Sequence, residues 1–233
     1  MYVASRATPV LLLSGALGCN TITEIDALQF EPCAPSFSDS TATATQGSHG
    51  GSPFEDVCPE GEVLVGLRGG VNGITIAGIS AICAAMRVSE AHPYTISLTP
   101  AEIIPNVRGV MGSEEPETQV CPPGAAVAGF EGSTVLYDPN DPRPILLRIS
   151  LVCASLHVEG PPEAPTTRLG ETTHTPSLGG PDDQGDVFQP IHCPPNQIAR
   201  GIHGRSGLLV DAFGLGCAEP SLACPAVPAA SEE

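Results

Sequence analysis

Three stretches of this chain open on Cys-Pro, close on a second Cys and share one internal register. They run from Cys58 to Cys83 (CPEGEVLVGLRGGVNGITIAGISAIC), from Cys121 to Cys153 with a longer middle, and from Cys193 to Cys217 (CPPNQIARGIHGRSGLLVDAFGLGC). Eight residues after each opening Cys stands a Gly (Gly66, Gly129, Gly201), and three residues later a second one (Gly69, Gly132, Gly204). Each copy reads as a β-hairpin, because a short apolar stretch precedes the glycines, a Gly- or Pro-rich turn follows, and an apolar strand runs to the closing Cys. A glycine kept at one register marks a place where a side chain would obstruct a turn or a close backbone approach.

Matching lead-ins precede two of the hairpins. TQGSHGGSPFEDVCP and SLGGPDDQGDVFQPIHCP both carry a Gly-rich loop, then Phe54 or Phe188, then a strand into the Cys. The repeat is therefore longer than its hairpin, and three units occupy about residues 44–90, 100–158 and 172–224 of a domain spanning 44–224. One unit cannot bury its apolar face alone, so three sheets closing around a shared core is the simplest architecture. Residues 89–118 and 159–175, rich in Pro, Glu and Thr, read as loops, with an edge strand expected over 94–100. Residues 225–233 read as a disordered tail.

The first 18 residues read as an export signal, with Arg6 in a polar start and a mainly apolar run before Cys19. The string LLLSGALGC resembles a bacterial lipoprotein signal, which implies acylation of Cys19, residues 19–43 as an anchored N-terminal segment, and placement at the outer membrane or cell surface. Membrane contact is then expected only through that lipid, since no later stretch has the roughly 18 apolar residues of a spanning helix. Nine Cys is an odd number, and lipidation of Cys19 removes the odd one. If each remaining pair closes its own hairpin, the bonds are Cys58–Cys83, Cys121–Cys153 and Cys193–Cys217, which leaves Cys33 and Cys224 to clasp the domain's two ends. No two Cys have the spacing of a zinc knuckle.

Composition removes several function classes. The chain has no Lys, so it has neither a P-loop lysine nor a Schiff-base lysine. A formal charge of −17 argues against nucleic acid, whose phosphates each want a cation.

The run ARGIHGRSGLLVDAFGLGC resembles the sugar-binding end of jacalin-like lectins, in which Gly-x-x-Gly is followed by three residues and an Asp before a final strand. Here these are Gly204, Gly207 and Asp211. The bracketing cysteines and the threefold repeat are similar to the vitelline-membrane outer-layer protein family, which shares the same fold. The resemblance implies an all-β, three-sheet β-prism with pseudo-threefold internal repeats, stapled by disulfides. It also implies glycans as partners, with Gly207, Leu208, Leu209 and Asp211 at the site and Gly179 and Gly180 as its Gly-rich wall. An ionised carboxylate can accept two charge-assisted hydrogen bonds from a vicinal diol. The first repeat has Ala77 at the Asp position and the second has an expanded loop, so one such site is expected. Leu208 and Leu209 stand where aromatics often stack on a sugar face, and the chain has no Trp.

Other chemistries find less support. The loops with Asp138, Asn140 and Asp141, and with Asp182, Asp183 and Asp186, group oxygen ligands without completing a calcium loop, and these are also ordinary turn formers. Ser206 in GRSG lacks the nucleophile elbow. His203 and Arg205 flank the lectin-like turn and add donors, and His192 beside Cys193 has no partner at metal-ligand spacing. No catalytic residue, metal or cofactor is expected. Two function classes remain: a surface lectin, or a structural or interaction protein of the envelope with no sugar site.

Overall fold

The computed structural model describes residues 33–224, apart from 91, 92, 113, 114, 139, 162 and 163. The signal, Cys19 and the 225–233 tail lie outside the described residues. Within them the fold is all-β, with three five-stranded antiparallel sheets and no helix. The first sheet is built on the hairpin of β5 (Glu62–Asn72) and β6 (Thr75–Val88), flanked by β7 (Ile96–Ile103) and β9 (Glu117–Val120), with β8 (Arg108–Gly109) bridging to β6. The second is built on β10 (Ala125–Asp138) and β11 (Asp141–Glu159), flanked by β12 (Thr166–His174) and β14 (Asp186–His192), with β13 (Leu178–Gly179) on β11. The third is built on β15 (Ile198–Ser206) and β16 (Val210–Ala218), with β2 (Thr41–Ala42), β3 (Gln46–Gly47) and β4 (Ser52–Val57). A two-stranded ribbon pairs β1 (Ala34–Phe37) with β17 (Pro220–Ala223). This is a three-sheet β-prism with pseudo-threefold repeats, and each sheet holds one Cys-bracketed hairpin.

The strand leading into each hairpin does not pair with that hairpin. β9, ahead of Cys121, pairs with β5; β14, ahead of Cys193, pairs with β10; and β4, ahead of Cys58, pairs with β15. The same exchange shows in the backbone, where the N–H groups of Cys121, Cys193 and Cys58 donate to the carbonyls of Val65, Ala128 and Arg200 at 2.7–2.8 Å. Just beyond each of those carbonyls the ladder is bulged and the first repeat glycine follows. A Cβ at Gly66, Gly129 or Gly201 would strike the carbonyl oxygen of Gln119, Ile191 or Asp56 on the exchanged strand. The conserved register is thus explained by close backbone approach, and only Gly has the room.

Four disulfides are present, Cys58–Cys83, Cys121–Cys153, Cys193–Cys217 and Cys33–Cys224. The six Cys of the hairpins are buried in the central core with Leu64, Leu67, Ile79, Phe130, Leu151 and Phe213. Phe130 stands edge-on to Phe213 (centroids 4.9 Å) and to Phe188 (5.9 Å), so the lead-in aromatics Phe188 and Phe54 both reach that core. A second apolar cluster of Val63, Val65, Met86, Ala126, Leu156 and Ile198 lies at the opposite strand ends from the hairpin tips, covered by Phe37 and Leu222 of the β1–β17 ribbon. One seam between sheets is ionic. Arg108 of β8 donates through Nε to Oδ2 of Asp56 on β4 at 2.7 Å, and Asp56 is 4% exposed.

Two stretches expected as loops carry strands. Residues 89–118 hold β8 and the start of β9 besides the edge strand β7, which forms over Ile96–Ile103, and residues 159–175 hold β12. β12 is an edge strand with an exposed, Thr-rich face (TTRLGETTH), where β-branched Thr favours the pleat without supplying an apolar alternation.

Candidate functional site

The β15–β16 hairpin ends in the three-residue connection Gly207, Leu208, Leu209 between the paired Ser206 and Val210. The Gly207 N–H donates to the Leu209 carbonyl at 2.9 Å, which holds the turn tight. Gly207 and Leu208 are exposed, Leu208 at 81%, while Val210 is buried. The alternation of the strand then turns Asp211 away from Val210 and toward a second wall.

That wall is the 47–51 loop, Gly-Ser-His-Gly-Gly, and not the expected pair Gly179 and Gly180. Ser48 N–H donates to the Asp211 carbonyl at 2.8 Å. A Cβ at Gly50 would overlap Oδ1 of Asp211, and one at Gly51 would stand 2.5 Å from Oδ2. The two glycines therefore leave the space in which the carboxylate sits. Arg205 fastens the loop from the other side, with Nε and Nη2 donating to the carbonyls of Gly50 and Gly51 at 2.8 and 2.7 Å. Partial burial pushes the Asp211 carboxyl above the usual Asp range, opposed by the charges of Arg143 and Arg205 and by a hydrogen bond from the Gly207 N–H. A half-buried carboxylate beside an exposed turn can accept hydrogen bonds from hydroxyls.

Gly179 and Gly180 lie on the second sheet, where Gly180 N–H donates to the Leu147 carbonyl at 2.9 Å and a Gly179 Cβ would meet Ile76 Cγ1 at 3.0 Å. The strand exchange explains the displacement: the loop ahead of the third hairpin joins the second sheet, and the loop ahead of the first hairpin joins the third. The pseudo-threefold equivalents of Asp211 follow from the same bond. Val110 N–H donates to Ala77 O, and Gly180 N–H to Leu147 O, as Ser48 N–H does to Asp211 O. Ala77 and Leu147 are 1% and 0% exposed, so the first two positions are apolar and closed, and the carboxylate occurs at the third alone. In the second sheet the loop is fastened by Arg148, which donates to Asp182 at 2.6 Å and to Ser133 at 3.2 Å.

Sequence reasoning missed Gly50 and Gly51. The lead-in TQGSHGG carried the signal for both, since it matches the lead-in that holds Gly179 and Gly180. His203 lies lower on β15, against Gly214, and does not form part of the turn. Ser206 pairs with Val210 and with Ser52 in the ladder. Among the described residues no three His, Cys, Asp or Glu side chains gather as metal ligands do.

No family model matches the chain, and no curated protein matches it. Solved structures do. Artocarpin, a lectin with mannose specificity, is 13% identical, with 77% of this chain and 98% of that chain covered and a TM-score of 0.49. Calystegia sepium agglutinin is 16% identical, covering 77% and 97% with a TM-score of 0.48. Frutapin, a lectin from Artocarpus incisa, is 16% identical, covering 78% and 98% with a TM-score of 0.49.

Proposed function

We propose that this chain is a non-catalytic carbohydrate-binding module whose site is the Asp211 turn and the 47–51 loop. One observation carries the reading. In an all-β domain whose two equivalent positions are buried Ala77 and Leu147, the third holds a half-buried carboxylate opposite a loop that keeps glycines where any side chain would displace it. A fold gains no packing from that substitution, and the Gly207 N–H and the Arg205 charge offset the carboxylate's partial burial only in part, so a further partner lowers its cost. A vicinal diol supplies the partner, each hydroxyl donating to one carboxylate oxygen.

The module is exported and held by a lipid on Cys19. The Cys33–Cys224 clasp lies beside the β1–β17 ribbon at the base of the prism. The Asp211 turn is at the other end of β15, whose nine residues span about 30 Å. An anchor N-terminal to Cys33 thus leaves the site at the far end of the domain. Release of the chain from membranes by Cys19→Ala, with the lipid lost by mass spectrometry, tests the anchor; an unchanged distribution sinks it.

Binding on a glycan array that disappears in Asp211→Ala, with the melting transition retained, is the expected result. A folded wild-type chain that binds no glycan would instead leave a disulfide-stapled envelope scaffold as the reading.

A further inference from the structure

Each of the three hairpins carries a β-bulge at the same register, and the extra residue is the one whose carbonyl accepts from the adjoining loop. In β6 the ladder passes from the Gly70–Gly78 pair to Val71–Ile76 and skips Ala77. In β11 it passes from Ser133–Arg148 to Thr134–Leu146 and skips Leu147, and in β16 from Arg205–Ala212 to Ser206–Val210, skipping Asp211. Gly70, Ser133 and Arg205 therefore hold one equivalent place, beside the bulge and directly after the second repeat glycine. At that place every hairpin meets its loop, by a different contact in each sheet. Gly70 lies so close to the loop that a Cβ would strike the Met111 carbonyl oxygen. Ser133, fully buried, donates through Oγ to the Gln184 carbonyl at 3.0 Å. Arg205 reaches its loop with a long side chain and donates twice, to the carbonyls of Gly50 and Gly51.

The 47–51 loop depends on that fastening. Three of its five residues are Gly, and Gly47 and Gly51 stand at φ +117° and +58°, so an unfastened loop has many other conformations to visit. The Ser48 N–H on the Asp211 carbonyl and a longer 3.4 Å bond from the Gly50 N–H to Ser48 Oγ hold its first half, and Arg205 holds its second. Resting on the saccharide reading above, we propose that Arg205 is the positioning residue of the site: it acts through the 47–51 loop and not on the ligand, and keeps Gly50 and Gly51 where they bound the space of the Asp211 carboxylate. Two donors on one planar guanidinium fix the direction of the loop as well as its distance. A site that is competent for only a fraction of the time binds more weakly by that fraction, so the latch sets affinity without touching sugar.

The test pairs hydrogen exchange of the full chain, read amide by amide by NMR, with calorimetric titration of the methyl α-glycosides of mannose, glucose, galactose and N-acetylglucosamine. In free Arg205→Ala the Ser48 and Gly50 amides exchange about 10-fold faster than in wild type or more, while Ile202 and Leu215, paired in the β15–β16 ladder, keep their rates. The glycoside that binds wild type binds the variant roughly 10-fold more weakly, and at saturation it returns both loop amides toward the wild-type rate. Arg205→Lys, whose ammonium cannot reproduce the fork, lies between the two. Asp211→Asn weakens binding yet leaves Ser48 protected, because that bond is made to the Asp211 backbone carbonyl. Loop exchange that stays at the wild-type rate in Arg205→Ala, or affinity that stays within about 2-fold, overturns the positioning role and leaves the saccharide site standing. Loss of the ladder protection as well would make Arg205 a residue of the framework and overturn the role equally. If none of the four glycosides binds wild type, the saccharide reading and the positioning role fall together.

Discussion

Replacing Gly50 by Ala separates the site from the fold. The backbone at Gly50 is outside the left-handed region, so Ala is tolerated locally, but its methyl would overlap Oδ1 of Asp211 and stand 3.0 Å from Cγ. The obstacle is the end of one side chain, which can swing off its rotamer at roughly 0.5–1.5 kcal/mol. For a domain of this size that lowers Tm by only a few degrees, at about 2–4 °C per kcal/mol. Binding loses the two charge-assisted hydrogen bonds of the carboxylate, and at about 1.5–3 kcal/mol each the affinity falls about 100-fold or more. Gly73→Ala is the matched control. It sits at φ +66° on the first hairpin's turn with nothing within 4 Å of its Cβ, so it incurs the left-handed cost of about 1–2 kcal/mol and leaves the ligand alone. Differential scanning calorimetry and glycan titration on both variants give the comparison. Two variants of similar Tm, one blind to sugar and one normal, are expected. A Gly50→Ala chain that binds within 2-fold of wild type would show that the carboxylate held between the loop and the turn is not the ligand's acceptor.

Asp211→Asn keeps the shape and the acceptor for the Gly207 N–H. Because burial raises the Asp211 carboxyl in the fold, ionising it costs more there than in the unfolded chain, and stability present below the ordinary Asp value is lost as pH rises through the raised value. The Asn variant should therefore melt higher than wild type at pH 7, with the advantage fading below about pH 4; an advantage constant across that range refutes the cause. Asp56→Ala should cost about 3 kcal/mol, because it strands Arg108 at the seam between the third and first sheets, and urea melts of Asp56→Ala, Arg108→Ala and the double variant measure the coupling. Removing the Cys33–Cys224 bond opens a loop with a sequence separation of 191, an entropy loss worth about 5 kcal/mol at most; a far smaller fall in the urea midpoint would mean that the β1–β17 ribbon already holds the termini.

How far the chain could be read in advance follows from which constraints are local. The disulfides of the hairpins were legible because each pair brackets its own apolar strands, and the glycine register was legible because bulge and close approach recur at the same offset from Cys. Asp211 and the turn before it were legible as a short motif. The other wall was not. Nothing in the periodicity of TQGSHGGSPFEDVCP says that β4 pairs with β15 rather than with β5, and a one-sheet shift moves the Gly-rich loop from the second sheet to the third. β12 escaped because its Thr-rich edge has no apolar alternation to reveal it.

The same exchange accounts for the difference between a threefold fold and a single site. Every hairpin receives its closing strand and its loop from elsewhere in the chain, so the loops can diverge without touching the Cys and Gly framework that holds the sheets. At the first and second positions the loop backbone closes on Ala77 and Leu147, side chains that contribute to packing. At the third, a loop with Gly at 50 and 51 leaves room for a carboxylate, and Arg205 holds that room open. Filling it should therefore stabilise the domain: Asp211→Leu paired with an unchanged loop would restore the apolar pattern of the second sheet and raise Tm if the pocket can close around it. A fall in Tm would instead mean that the 47–51 loop is built around a polar group and cannot repack around an apolar one.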